Sequence, residues 1–192
     1  MMSLRPEWIP MLEIAEALAT IEVSPVFVGG LVTGLLVTDA AAPAPRPTDD
    51  IDLVVEVLTH VEYHALGKRL RSIGFAEDTG SAVLCRWIFK DHAVDVMPTE
   101  GAALGMSCRW FSEAYAEASR IAFDNGRELR AVTAPYFLAL KLEAFRTEDT
   151  PHERPFLLMP GELDLRKVPR IPDYAKWQSG AFAKSRSAGF KL

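Results

Sequence analysis

The chain has 192 residues, 49 % of them hydrophobic, and a formal net charge of −5, a balance typical of a globular domain. This charge argues against a broadly basic nucleic-acid surface, but it leaves room for a small anionic ligand held through a metal. Cys85 and Cys108 do not have the spacing of zinc ligands, and the sequence has neither a signal pattern nor a run of 18 apolar residues. We therefore expect a cytoplasmic protein without a membrane partner.

The first 47 residues predict two helices around a buried strand. Apolar residues recur at helical spacing from about Pro6 to Ile21. The wholly apolar run Pro25–Val28 ends at Gly29-Gly30, which predicts a strand stopped by a tight turn. A short helix is expected at Leu31–Val37, and three prolines make Ala40–Pro47 a loop.

The middle of the chain predicts three strands and one helix. Thr59 and Glu62 have the spacing of a capping box and therefore mark a helix N-terminus. The expected elements are a strand at Asp50–Val57, a helix from Thr59 to Ile73 that stops at Gly74, and antiparallel strands at Ala82–Lys90 and His92–Met97.

The last third predicts a hairpin, a helix and an irregular tail. Ser107 is expected to cap a short helix that reaches Ala118, and Asn125-Gly126 marks a hairpin. The hairpin strands are Arg120–Phe123 and Glu128–Val132, and a helix follows at Tyr136–Arg146. We predict a core domain at 1–132, a C-terminal helix at 133–146 and an irregular or partly disordered tail at 147–192. The fold class is α/β (α+β), a mixed twisted β-sheet with flanking helices and a C-terminal helical extension.

Three aspartates on predicted strands carry the chemistry. Asp50 and Asp52 point to the same face because side chains on a strand alternate, and Asp95 lies among apolar residues of a later strand. Three converging carboxylates repel one another unless a cation neutralises them, and Mg²⁺ or Mn²⁺ suits carboxylates and phosphate oxygens. Each position also has an explanation without a metal. Asp50 and Asp52 would then lie on a part of the strand that has not yet entered the core, and Asp95 would face solvent from an edge strand.

Two further features suit a phosphate ligand. Gly29-Gly30, between a strand and a helix, lets the backbone approach a phosphate, although a glycine pair is also common in turns. Lys141 lies among leucines on a helix, and it is either a phosphate contact or a lysine at the edge of the core.

Jointly, these residues resemble the polymerase-beta-like nucleotidyltransferase superfamily. The segment Arg46-Pro47-Thr48-Asp49-Asp50-Ile51-Asp52 is similar to the R-x-T-x-D-I-D stretch of AbiEii-type nucleotidyltransferases, which are bacterial toxins. The stretches 94–98 and 134–142 resemble the third-acid strand of that family and its lysine-bearing helix. After Arg146 the sequence departs from the family, which continues with a second helix.

The resemblance implies transfer of a nucleoside monophosphate from an NTP to an acceptor hydroxyl, on RNA, tRNA or protein, by a toxin that has an antitoxin partner. The implied catalytic residues are Asp50, Asp52, Asp95 and Lys141, of which the three aspartates bind the metal. The implied nucleotide-binding residues are Gly29, Gly30, Thr33, Arg46, Thr48 and Arg146. Two other readings stay open: a small-molecule nucleotidyltransferase, such as one acting on aminoglycosides, and a catalytically silent nucleotide-binding or interaction protein on the same fold.

Overall fold

The computed structural model describes residues 1–37, 48–100, 104 and 108–147, with side chains as far as Ala144. In that part of the chain, five α-helices flank seven β-strands. The helices are α1 (Ile9–Ala19), α2 (Thr33–Leu36), α3 (His60–Ser72), α4 (Phe111–Ala116) and α5 (Ala134–Thr147). The strands are β1 (Val26–Phe27), β2 (Asp50–Val55), β3 (Phe75–Glu77), β4 (Arg86–Phe89), β5 (His92–Pro98), β6 (Ser119–Ala122) and β7 (Glu128–Ala131).

The strands form one mixed sheet in the order β3-β4-β5-β2-β1-β7-β6. The central strands β2 and β5 are parallel and in register, so that Asp52 lies opposite Asp95. Strand β1 runs antiparallel to β2 and parallel to β7, whereas β4 runs antiparallel to β5. This arrangement confirms the predicted fold class.

Helix α3 packs on one face of the sheet at β4. A Cβ atom on Gly67 of α3 would lie 3.4 Å from the ring of Trp87, so the helix packs directly on that strand. Trp87 is buried and lies opposite Val94, while its neighbour Arg86 lies opposite Asp95. Because side chains alternate along a strand, Arg86 and Asp95 share the face that α3 leaves uncovered.

The N-terminus of α3 is fixed as the sequence predicts. The backbone N–H of Glu62 donates to the Thr59 hydroxyl, and the Glu62 carboxylate accepts from the backbone N–H of Thr59. Both halves of the capping box are therefore present. The helix ends before Gly74, whose φ of +94° is easily adopted only by glycine.

Several predicted elements differ in extent from those observed. The helix expected at Leu31–Val37 is a single 3₁₀ turn at Gly30–Val32 followed by the four residues of α2. The strand expected to begin at Ala82 begins at Arg86, because the chain turns just before it, where the N–H of Arg86 donates to the carbonyl of Val83. The helix expected from Ser107 begins at Phe111 after Trp110. Strand β3 was not predicted, since three residues after a helix end give no periodic pattern.

Some predictions fall on residues that the structure does not describe. The loop at Ala40–Pro47, Ser107 and the tail beyond Thr147 lie outside the described residues. The division into a core domain, a helix and a tail stays a prediction. Among the described helices, none combines the length and the apolar character that crossing a bilayer requires.

Candidate metal and nucleotide site

Asp50, Asp52 and Asp95 converge at the centre of the sheet. One carboxylate oxygen of each lies within 4.8 Å of an oxygen of the other two. The parallel register of β2 and β5 causes this, since it sets Asp52 beside Asp95 and Asp50 two residues earlier on the same face. Asp95 is 7 % exposed, and the other two are half-buried. Clustered carboxylate oxygens are the ligand type that Mg²⁺ prefers, so the donor set fits this ion.

Burial and the two neighbouring acids perturb the ionisation of Asp52. Burial, followed by repulsion from Asp50 and Asp95, raises the pKa of Asp52 to about 6 from its ordinary 3.8. The positive charges of Lys141 and Arg86 act in the opposite direction. A carboxylate held this way gains from a nearby cation, as expected of a metal ligand.

The glycine pair packs against the strand that carries the acids. A Cβ atom on Gly29 would lie 1.8 Å from Oδ2 of Asp52, and one on Gly30 would lie 2.9 Å from Cγ2 of Thr48. Gly29 also has a φ of +73°, which L side chains rarely adopt. The pair therefore leaves space for Asp52 and Thr48. The helix that follows is too short to supply much of the helix-terminus charge that a phosphate would use.

Thr48 and Lys141 also lie beside the acids. The Thr48 hydroxyl donates to Oδ1 of Asp50 in a short hydrogen bond, which helps to orient that carboxylate. Lys141 on α5 is near enough to Asp52 to lower its pKa, so this predicted residue is part of the electrostatic surroundings of the cluster. Its Nζ also lies 5.9 Å from the ring centroid of Phe137.

None of the other three predicted nucleotide-binding residues has a described contact with the acids. Thr33 is the first residue of α2 and is half-buried, and it has no contact with the acids among the described hydrogen bonds. Arg46 lies outside the described residues. Arg146 is in α5, but its side chain is not described. The roles of all three stay predictions.

Arg86 is a member of the site that the sequence analysis missed. Its Nε and one terminal nitrogen donate to the two carboxylate oxygens of Asp95, each at 2.8 Å. The same terminal nitrogen lies 3.4 Å from Oδ2 of Asp50. The signal was available in the hairpin: a two-residue turn at Lys90-Asp91 pairs Phe89 with His92 and, three residues further back, Arg86 with Asp95. The predicted strand bounds, Ala82–Lys90 and His92–Met97, did not fix this register.

Comparison with known proteins supports the fold. No protein-family model matches the sequence, and no curated protein sequence matches it. The chain is similar in structure to an antigenic nucleotidyltransferase-like protein from Paracoccidioides brasiliensis, with a TM-score of 0.53 and 18 % sequence identity. The match covers 80 % of this chain and 73 % of the other. The chain therefore has a nucleotidyltransferase-like fold, with three carboxylates suited to a divalent metal at its centre.

Proposed function

We propose that this chain is a Mg²⁺-dependent nucleotidyltransferase, which moves a nucleoside monophosphate from an NTP to an acceptor hydroxyl. The observation that carries the proposal is the convergence of Asp50, Asp52 and Asp95 within 4.8 Å on a nucleotidyltransferase-like sheet. Carboxylates at this spacing repel one another, so their presence together at the centre of the fold favours a role in binding cations.

The reaction makes one bond at phosphorus and breaks another. The acceptor hydroxyl loses its proton, and its oxygen forms a bond to the α-phosphorus of the NTP. The bond from that phosphorus to the bridging oxygen breaks, and pyrophosphate leaves with the electron pair. Divalent metal held by the aspartates would supply positive charge to the entering and leaving oxygens.

We assign a role in the reaction to each residue from its position in the site. Asp50 and Asp52 hold the metal, and Thr48 keeps Asp50 oriented. Asp95, the most buried of the three, completes the metal site, and we assign it to help take the hydroxyl proton. Lys141 is assigned to the triphosphate, where its charge would offset that of the leaving pyrophosphate.

The acceptor that we favour is RNA, with tRNA first, or protein, in the role of a toxin that an antitoxin protein restrains. The support is the similarity of residues 46–52, 94–98 and 134–142 to AbiEii-type nucleotidyltransferases. Arg46 and Arg146 would join the nucleotide contacts in this reading.

One observation favours a second candidate, a catalytically silent nucleotide-binding or interaction protein. Both oxygens of Asp95 already accept hydrogen bonds from Arg86, so the cluster is partly neutralised without a metal. In a protein without transfer activity, this arginine would lower the electrostatic free energy of holding the three acids together.

The test is incubation with each α-labelled NTP, Mg²⁺ and one acceptor at a time: a bulk tRNA fraction, a protein mixture or an aminoglycoside. Wild type is compared with Asp50→Asn and with Asp49→Asn. Asp49 is exposed and adjacent but outside the cluster, so its variant removes the same charge without a metal ligand. We expect label to enter RNA with wild type and Asp49→Asn, and at least about 100-fold less with Asp50→Asn, as for loss of one key electrostatic group.

Each result discriminates between the readings. Transfer that survives in Asp50→Asn would contradict the assignment. Mg²⁺-dependent nucleotide binding without transfer to tRNA, to protein or to an aminoglycoside would favour the silent protein. Transfer to the aminoglycoside alone would identify the small-molecule enzyme.

A further inference from the structure

Arg86 is set among the acids as a fixed positive charge. Its guanidinium makes two parallel hydrogen bonds of 2.8 Å to Asp95 and reaches to within 3.4 Å of Asp50. The side chain of Arg86 is 23 % exposed and that of Asp95 is 10 % exposed, so water screens the pair only weakly. The paired hydrogen bonds to Asp95 raise the pKa of Arg86, and the arginine stays charged at any working pH.

The position of Arg86 follows from the sheet and not from a flexible loop. Strands β4 and β5 form a tight hairpin in which Arg86 is directly opposite Asp95. Side chains of directly paired residues lie on the same face, so the arginine is held where it meets the acid. The same face carries Asp50 and Asp52 on the neighbouring strand β2. Arg86 therefore occupies space that a cation bound to Asp50 and Asp95 would need.

We propose that Arg86 is an internal counter-ion of the acid cluster, which a divalent ion must displace from Asp95 in order to bind there. The inference rests on the proposed function, because it presumes that the cluster binds metal. Of the described residues, Arg86 and Lys141 bring two positive charges to three carboxylates. The cluster is thereby nearly neutral before metal binds. If Arg86 stayed in place, a bound metal ion would lie only a few ångströms from its positive charge. Arginine and metal thus compete for the oxygens of Asp95.

The first test measures Mn²⁺ binding alone, by electron paramagnetic resonance titration of the full chain. Arg86→Gln removes the charge but keeps a polar side chain. Arg120→Gln is the matched control, because Arg120 is an exposed residue of edge strand β6, far from β5 in the sheet order, and pairs with Glu128. We expect Arg86→Gln to bind Mn²⁺ about tenfold more tightly than wild type, as for removal of a like charge a few ångströms away, and Arg120→Gln to change affinity less than about twofold.

Asp50→Asn separates failure of this inference from failure of the proposed function. If Asp50→Asn binds Mn²⁺ as tightly as wild type, or if neither binds it, the assignment of the metal site is wrong, and both proposals fall. If Asp50-dependent binding is present but Arg86→Gln leaves it unchanged or weakens it, Arg86 supports the metal ligands instead of competing with the ion. That result overturns the inference and leaves the proposed function standing.

A second measurement is made on wild type and does not depend on Arg86→Gln. Nitrogen-15 NMR of arginine side chains follows the Nε–H of Arg86, identified as the signal that Arg86→Lys lacks. Because this hydrogen donates to Asp95, it should exchange slowly without metal and at least about tenfold faster when Mg²⁺ saturates the site. A signal that keeps its shift and its slow exchange at saturating Mg²⁺ would overturn the inference, even if Arg86→Gln does not fold.

Discussion

Gly29 and Asp52 are packed so closely that a single methyl group between them cannot be accommodated. A Cβ atom at position 29 would lie 1.8 Å from Oδ2 of Asp52 and 2.8 Å from its Cβ. The backbone at Gly29 is also in the left-handed region, with a φ of +73°. The glycine pair thus shapes the metal site directly, in addition to any phosphate that it contacts.

Gly29→Ala should destabilise the fold and displace Asp52. We expect a loss of more than about 3 kcal/mol in the free energy of unfolding, from backbone strain and the collision together. Gly126→Ala is the matched control, because Gly126 has a φ of +80° but nothing within 4 Å of its added Cβ. It should lose only about 1 kcal/mol. Urea denaturation of both variants measures the difference, and equal losses would show that the contact with Asp52 is unimportant.

Asp52 should reduce stability at neutral pH in the absence of metal. Burial and repulsion by Asp50 and Asp95 raise its pKa from 3.8 to about 6, so the folded state binds this proton more tightly than the unfolded state. The contribution of Asp52 to the free energy of unfolding therefore falls as pH rises from about 4 to about 6, and it remains low above that range.

Asp52→Asn removes this penalty. In chelator, the variant should be more stable than wild type by about 1–3 kcal/mol at pH 7, with little difference at pH 4. Mg²⁺ should stabilise wild type more than the variant, since binding to the folded state adds stability. Thermal unfolding at both pH values checks the sign; a variant less stable than wild type at pH 7 in chelator would contradict it.

Thr99 joins the ends of β2 and β5 just beyond the acids. Its buried hydroxyl accepts from the backbone N–H of Val57 at 3.1 Å and donates to the carbonyl of the same residue at 3.0 Å. Thr99→Val keeps the shape but leaves the Val57 N–H without this partner, which should cost about 1–3 kcal/mol of unfolding free energy. Thr99→Ser keeps the hydroxyl and should cost less. If the two variants unfold at the same urea concentration, the hydroxyl makes no net contribution.

Lys141 should contribute to nucleotide affinity through its charge. Lys141→Gln is expected to weaken binding of a fluorescent NTP in Mg²⁺ by about tenfold, which is the scale of one charge-assisted contact. Lys68→Gln is the control, because Lys68 is exposed on α3, which packs on the opposite face of the sheet. Fluorescence anisotropy gives both affinities, and equal weakening would mean that only net charge matters.

The central acids were predictable because a strand repeats every two residues. Asp50-Ile51-Asp52 needs only that alternation to place two carboxylates on one face, and the apolar neighbours of Asp95 mark a core strand. The capping box of Thr59 and Glu62 is local in the same sense and is realised fully. The aspartate doublet and the capping box, each confined to a few consecutive residues, were therefore predicted correctly.

Features that depend on pairing between distant segments were harder to predict. The contact of Gly29 with Asp52 requires β1 to pair with β2, and the sequence suggested only a turn or a phosphate contact. Arg86 looked like an arginine within an apolar run, and only the exact length of a turn assigns it to Asp95. The short strand β3 has too few residues for any period, so its existence follows from its pairing with β4.

The topology also sets an order of assembly for the acid cluster. Arg86 and Asp95 are nine residues apart in one hairpin, whereas Asp52 and Asp95 meet only when a parallel pairing closes across 43 residues. Short loops close at a lower entropic cost and earlier than long ones. We therefore expect Asp95 to pair with its arginine before the other two aspartates arrive during folding, so that the chain need not bring three unaccompanied negative charges together.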